Sequence, residues 1–258
     1  MAGSTTAQRR GMTGYALATS ARGPLNPIVH ETAQERVYRE LRKALIHGKF
    51  GPGQPLLVHE LASALDVGAA LVRDALARLV FERALEPMSN RSVRVPPLEL
   101  ARIDDLFRAR LVVEGAALDL AGPRLTSGDF EALRAINADY LRVASERGEA
   151  RIDTALNANR AFHFHLYRAA GSDALPPIIE SLWLQSAPLV RLAIIVFDPD
   201  GPLSAPHFHE EIVAALEARN VCAARDALAK DLGRAFCLLR KLAEDEAARC
   251  APRTRNAQ

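Results

Sequence analysis

Residues 59–97 read HELASALDVGAALVRDALARLVFERALEPMSNRSVRVPP. The spacing predicts a short helix over His59–Leu65 and a longer one over Ala69–Glu82, where Val72, Leu76 and Leu79 share a stripe. After them, EPMSNRSVRVPP (86–97) puts Ser89-Asn90 at a turn and sets Val93 and Val95 on either side of Arg94. That alternation predicts a small β-hairpin. Pro96-Pro97 separates the hairpin from everything downstream.

Upstream, Val37, Leu41, Ala44 and Leu45 form a helical stripe over 31–48, and the turn residues GPGQ (51–54) stop it. Residues 1–28, rich in Gly, Ser, Thr and Ala with Pro24 and Pro27, read as a flexible tail. Downstream, 98–248 is helical throughout, with breaks near Gly122-Pro123, Glu149-Ala150, Gly171-Ser172, Pro199–Pro206 and Asn220. Those breaks make six helices and no convincing strand. The expected fold is therefore mainly α. A winged helix-turn-helix of three helices plus a β-hairpin (29–96) precedes an all-α bundle of six to seven helices (97–248), and 249–258 is a second tail.

With 258 residues and 49% hydrophobic content, the chain is expected to be globular, with a substantial core. No uncharged apolar run reaches about 18 residues, so no membrane partner is expected. Three scattered cysteines, Cys222, Cys237 and Cys250, make neither a disulfide framework nor a metal knuckle, and the expected location is a reducing cytoplasm. The net charge of +2 hides an asymmetry: residues 1–96 hold 13 Lys/Arg against 8 Asp/Glu, and 97–258 hold 20 against 23. A basic front half points to a polyanion.

In a winged helix-turn-helix the last helix enters the major groove of DNA, and basic wing residues reach the neighbouring backbone or minor groove. The candidates for DNA contact are Arg73 and Arg78 on the recognition helix, Asn90, Arg91 and Arg94 on the wing, and Arg36 and His59 before them. Lys and Arg neutralise phosphates, and Asn or Arg also reads base edges. Solvated helix surface is the other reading of these arginines.

The module resembles the DNA-binding domain of GntR-family transcription regulators over 35–95. VYRELRKALIHGKFGPGQPL resembles the family's opening helix and turn, HELASALDV its second helix, VRDALARLVFERAL its recognition helix and SNRSVRV its wing. The chain departs from the family at Gly68-Ala69-Ala70-Leu71, where the family usually has Ser-Arg-Thr-Pro. Loss of a hydroxyl N-cap costs about 0.5–2 kcal/mol where Ala replaces Ser and only a few tenths where Gly does. A family arginine that contacts DNA is Ala69 here.

Residues 101–243 resemble the helical effector-binding (FCD-like) domain of the FadR-type branch. The resemblance runs through DLFRARLVVEGAALDLA (105–121), NRAFHFHLYRAAGS (159–172) and HEEIVAALEARNVCAARDALAKDL (209–232). Helical geometry alone distinguishes the histidines of NANRAFHFH (157–165). Asn159, Phe162, His163 and Leu166 share a stripe, whereas His165 lies about 200° round the axis from His163. His209 shares a stripe with Ile212, Val213 and Leu216, while His207 is expected before that helix. Asp231 sits between Leu228 and Leu232, and Arg110 and Glu114 lie on the stripe of Phe107 and Ala117. Unpaired polar groups on apolar faces are costly, which points to a site. The plainer readings are core histidines with hydrogen bonds, Arg110 pairing with Glu114, and Asp231 reaching water.

The resemblance implies a metal held by one Asp and three His, with Asn159 here at the Asp position and Asp231 at the third His position. The candidate ligands of a divalent transition metal (Zn, Ni or Mn) are thus Asn159, His163, His209 and Asp231. Loss of the metal is the alternative. Effector candidates are Arg110, Glu114, Asn159, His163 and His209, with Arg110 as the bidentate fork for a carboxylate. The resemblance implies a homodimer on an operator of palindromic half-sites in double-stranded DNA, answering to a small carboxylate or acyl effector. The rival readings are a helical-bundle metalloenzyme with an accessory N-terminal module and a helical interaction adaptor.

Overall fold

The computed structural model describes residues 31–89, 92–146, 150–196 and 206–250. The expected tail over 1–28, most of that over 249–258, the wing residues Asn90 and Arg91 and the side chain of His207 lie outside this description.

Helix α1 (Ala33–Ile46) begins where the Thr32 hydroxyl accepts from the Glu35 amide at 3.1 Å, and it buries Val37, Tyr38, Leu41 and Leu45. Gly53, at φ +76°, takes the left-handed conformation the following turn needs, and its N–H donates to the Val95 carbonyl. Strand β1 (Pro55–Leu56), helix α2 (Val58–Leu65) and helix α3 (Ala69–Phe81) follow. The N-cap of α3 is Gly68, which offers no side-chain oxygen, so the cost relative to a hydroxyl cap is only a few tenths of a kcal/mol.

Strands β2 (Glu86–Pro87) and β3 (Val93–Arg94) form the wing, but the sheet has three strands in the order β1-β3-β2. The expected two-stranded hairpin therefore gains β1, with Leu56 opposite Val93 and Pro55 opposite Arg94. A two-residue strand opening on proline has no alternation to detect, and proline is tolerated because β1 is an edge. Leu56, Val72, Leu76, Leu79, Leu85 and Val95 close the core of this half.

Among the described residues the bundle has the six expected helices. They are α4 (Leu100–Ala121), α5 (Ser127–Ala144), α6 (Ala150–Ala169), α7 (Leu175–Val196), α8 (Pro206–Glu217) and α9 (Val221–Cys250). A capping box starts α5: Thr126 accepts from the Asp129 amide, and Asp129 accepts from the Thr126 N–H. Because α8 begins at Pro206, His207 belongs to its first turn and not to the preceding loop. Leu118, Leu133, Phe162, Leu166, Leu216 and Leu228 form the main core, and Ile103, Leu189, Phe236 and Leu239 a second.

Helix α7 joins the two halves. By length and composition Leu175–Ile195 is apolar enough to cross a membrane. Part of its apolar surface is nevertheless buried in protein, while Ile178 and Ile195 stay exposed. Leu184 completes the winged-helix core, while Leu189 and Ala193 pack with Ile103 and Phe236. Its interruptions in sequence, Glu180 and Arg191, bond to other helices.

Candidate functional site

Every helix of the bundle contributes a polar side chain to one buried cluster: Arg110 and Glu114 from α4, Asn137 from α5, His163 and Tyr167 from α6, Ser186 from α7, His209 from α8 and Asp231 from α9. His163 and His209 are each 1% exposed, and their rings lie 5.2 Å apart edge to face. Asp231 Oδ2 is 3.1 Å from His163 Nε2, and Oδ1 is 3.7 Å from His209 Nε2. One donor atom from each of these three residues lies within 4.8 Å of the others.

The hydrogen bonds fix which nitrogen of each ring faces inward. Arg110 grips Glu114 with two donors, Nε to Oε1 at 2.5 Å and Nη2 to Oε2 at 3.3 Å, so both carboxyl oxygens of Glu114 accept. The Tyr167 hydroxyl donates to Glu114 Oε2. With its hydrogen spent there, Tyr167 receives from His163 Nδ1 at 3.1 Å. The Nε2 of His163 is then the nitrogen that faces Asp231. On the other ring, Nδ1 of His209 donates to Asn137 Oδ1 at 3.1 Å, leaving Nε2 buried without a hydrogen-bond partner among the described residues.

The electrostatics follow from burial and pairing. Burial, more than any other influence, pushes the pKa of His209 down to about 4, so its ring is neutral at pH 7 and Nε2 carries a lone pair. Burial raises the Asp231 carboxyl, but the imidazoles of His209 and His163 outweigh it and hold it at about 2. Burial, then Glu114, drives the Tyr167 hydroxyl well above its usual value, so it stays a donor. The Asp231 carboxylate therefore faces Nε2 of both imidazoles.

That arrangement fits a divalent ion. Both outer ring nitrogens are held by hydrogen bonds, the usual support for a histidine ligand. Bonds of about 2.0–2.2 Å place ligand atoms no more than about 4.4 Å apart, so a contraction of a few tenths of an ångström completes the site. Two imidazoles and one carboxylate suit zinc, nickel or manganese. Asn159, one turn before His163 on the same stripe, is half-buried, and its side chain makes no hydrogen bond among the described residues.

The remaining candidates fall as follows. His165 lies on the outer side of α6, 29% exposed, and bonds Asp129 at 2.9 Å. Arg110 does not offer an open fork: Glu114 occupies it, and its Nη1 approaches Ser186 at 3.5 Å. Spacing on α4 suggested that pair, but it gave no sign of Asn137, Tyr167 or Trp183. The Trp183 ring lies 5.5 Å from that of His163, tilted by 58°, and the Arg110 guanidinium sits 4.6 Å from its centre; its Nε1 is buried with no acceptor among the described residues. In the winged helix, Arg36, His59 and Arg73 are exposed. Arg78 is engaged with Glu35 at 3.0 Å and Glu82 at 3.4 Å and stacks on Tyr38, while Arg94 pairs across the sheet with Glu86 at 2.7 Å.

Comparison with known proteins places these two halves. The FCD domain profile matches residues 105–234, and the profile of bacterial regulatory proteins of the gntR family matches 33–95. The HTH-type transcriptional regulator McbR of Escherichia coli K12 is 27% identical over 81% of this chain and 94% of its own length. The HTH-type transcriptional repressor GlaR of the same organism is 28% identical over 76% of this chain and 90% of its own. The solved structure of E. coli McbR/YncC has the same fold, with a TM-score of 0.73 at 24% identity over 83% of this chain and 99% of that one. A putative GntR regulator from Rhodococcus sp. RHA1 superposes with a TM-score of 0.62 at 28% identity, covering 80% and 96%.

Proposed function

Because the chain belongs to the GntR family of transcription regulators, with an FCD domain as its second half, we propose that its grip on an operator responds to a small carboxylate or acyl effector in the bundle. In this reading a divalent ion on His163, His209 and Asp231 anchors the effector. The observation that carries the reading is the buried, unpartnered Nε2 of His209 beside the Asp231 carboxylate. The metalloenzyme alternative finds no support among relatives named as regulators and repressors.

A bound ion would supply a Lewis-acid anchor for an anionic group. The chain's own residues do the rest. Asn137 and the Glu114–Tyr167 pair hold the two imidazoles in one tautomer, and burial excludes water. The Nε1–H of Trp183 is a buried donor for an effector oxygen. An effector carboxylate would reach Arg110 only by displacing Glu114, which leaves the Trp183 N–H as the protein donor open to it.

On DNA, we place Arg73 at the base edges or phosphates of the major groove, with Arg36, His59 and Arg94 around it and Asn90 and Arg91 on the wing. Arg78, held by Glu35 and Glu82, is a lesser contact. The chain acts as a cytoplasmic homodimer on palindromic half-sites, with the subunit contact on the bundle. Val112, 67% exposed on α4, is available to such a contact.

A titration of the full chain against its own upstream DNA over a range of salt tests the reading. Specific binding with a steep salt dependence is expected, weakened or strengthened when a carboxylate effector and the metal are both present. Binding that ignores sequence and salt contradicts it.

A further inference from the structure

A cleft of about 560 Å³ opens between α1 and α3 of the winged helix and α6 and α7 of the bundle. Five Lys/Arg side chains line it against the two carboxylates of Glu35 and Glu180. Glu180 is shared, receiving from Arg160 Nη2 at 3.0 Å while Arg42 Nη2 lies 3.5 Å from its other oxygen. Two guanidiniums on one carboxylate leave positive charge over. The Arg160 guanidinium lies 3.9 Å from the centre of the Phe164 ring, and its Nη1 is buried with no hydrogen-bond partner among the described residues. A buried donor without an acceptor costs free energy that a bound anion returns.

We propose that this cleft binds a small phosphorylated anion, through Arg160 and Arg42 with Lys43 beside them. Phosphate presents several acceptor oxygens to a planar guanidinium fork and carries the double charge that the excess of cations calls for. The volume lies in the range of small-molecule sites, whereas a DNA duplex cannot enter it. The site is separate from the His163 cluster, yet Arg160 stands on α6 less than one turn before His163. A ligand here therefore touches both the DNA-reading half and the helix that carries the buried cluster.

Isothermal titration of the full chain with inorganic phosphate, and separately with glycerol 3-phosphate, at constant ionic strength tests this. Both probes are expected to bind the parent. Tighter binding of glycerol 3-phosphate assigns the site to a phosphate ester, and the reverse order to phosphate itself. Arg160→Gln should weaken binding by about tenfold or more. Glu180→Gln, which removes the competing carboxylate, should tighten it. Arg240→Gln, which breaks an exposed pair with Asp104 outside the cleft, should leave it unchanged. If Arg160→Gln does not fold, Glu180→Gln decides alone. No heat with either probe, equal affinity in parent and Arg160→Gln, or no tightening in Glu180→Gln overturns the proposal. So does an Arg160→Gln defect confined to operator binding.

Discussion

The side-chain oxygen of Asn137 lies 3.1 Å from Nδ1 of His209, and this single contact sets which nitrogen of the ring faces Asp231. An amide oxygen accepts, so Nδ1 keeps the hydrogen and Nε2 keeps the lone pair. Replacing Asn137 with Ala frees the ring to turn or change tautomer. Divalent-metal affinity, measured by competition with a chelating dye, is expected to fall about 10–100-fold. Unchanged affinity would show that Asn137 does not orient the ligand.

Arg110 and Glu114 are both buried and bonded to each other, so the pair is unequal to its halves. Removing the guanidinium in Arg110→Ala strands the carboxylate and should cost about 3–5 kcal/mol in urea unfolding. The double variant Arg110→Met/Glu114→Leu should recover much of that loss, while freeing the Tyr167 hydroxyl and disordering His163. A double variant as unstable as the single one would contradict this.

In the sequence, period alone separates His163 from His165, because residues two apart on a helix face opposite ways. The same argument finds Arg110 and Glu114 four apart. It does not find Asn137, Tyr167 or Trp183, whose roles depend on which helix each faces. Pairing across helices 53 residues apart, as between Glu114 and Tyr167, leaves no periodic trace. Strand β1 was hidden for a similar reason, since Pro55 and Leu56 gain meaning only opposite Val93 and Arg94. Arg78 looked equivalent to Arg73 on α3, until Tyr38, Glu35 and Glu82 converged on one of them.

That difference predicts unequal effects on DNA. Arg73 is exposed, and no ion pair engages it among the described residues. Arg73→Ala should weaken operator binding by about 1–3 kcal/mol in fluorescence anisotropy, with the melting temperature unchanged. Arg78→Ala should act the other way round, lowering stability more than operator affinity. Equal losses on DNA would place Arg78 in the groove as well.

The capping box of α5 carries a pH dependence. The Thr126 hydroxyl, then its backbone N–H and His165, hold the Asp129 carboxyl at about 2, below the roughly 3.9 of an unfolded aspartate. Stability from this group is therefore fully present above about pH 4 and is lost as the pH falls towards 2. Asp129→Asn should flatten that part of the acid-denaturation curve. Thr126→Ala should cost about 0.5–2 kcal/mol at neutral pH. An acid limb identical in parent and Asp129→Asn would refute the assignment.

The most direct measurement is the divalent-metal content of the full chain after incubation with zinc, nickel or manganese and removal of free ion, parent beside His209→Ala. One ion per chain in the parent and almost none in His209→Ala is predicted, with both proteins still binding operator in the absence of effector. A parent that retains no ion, or a His209→Ala protein that retains as much, contradicts the claim that His163, His209 and Asp231 form the metal-linked effector site.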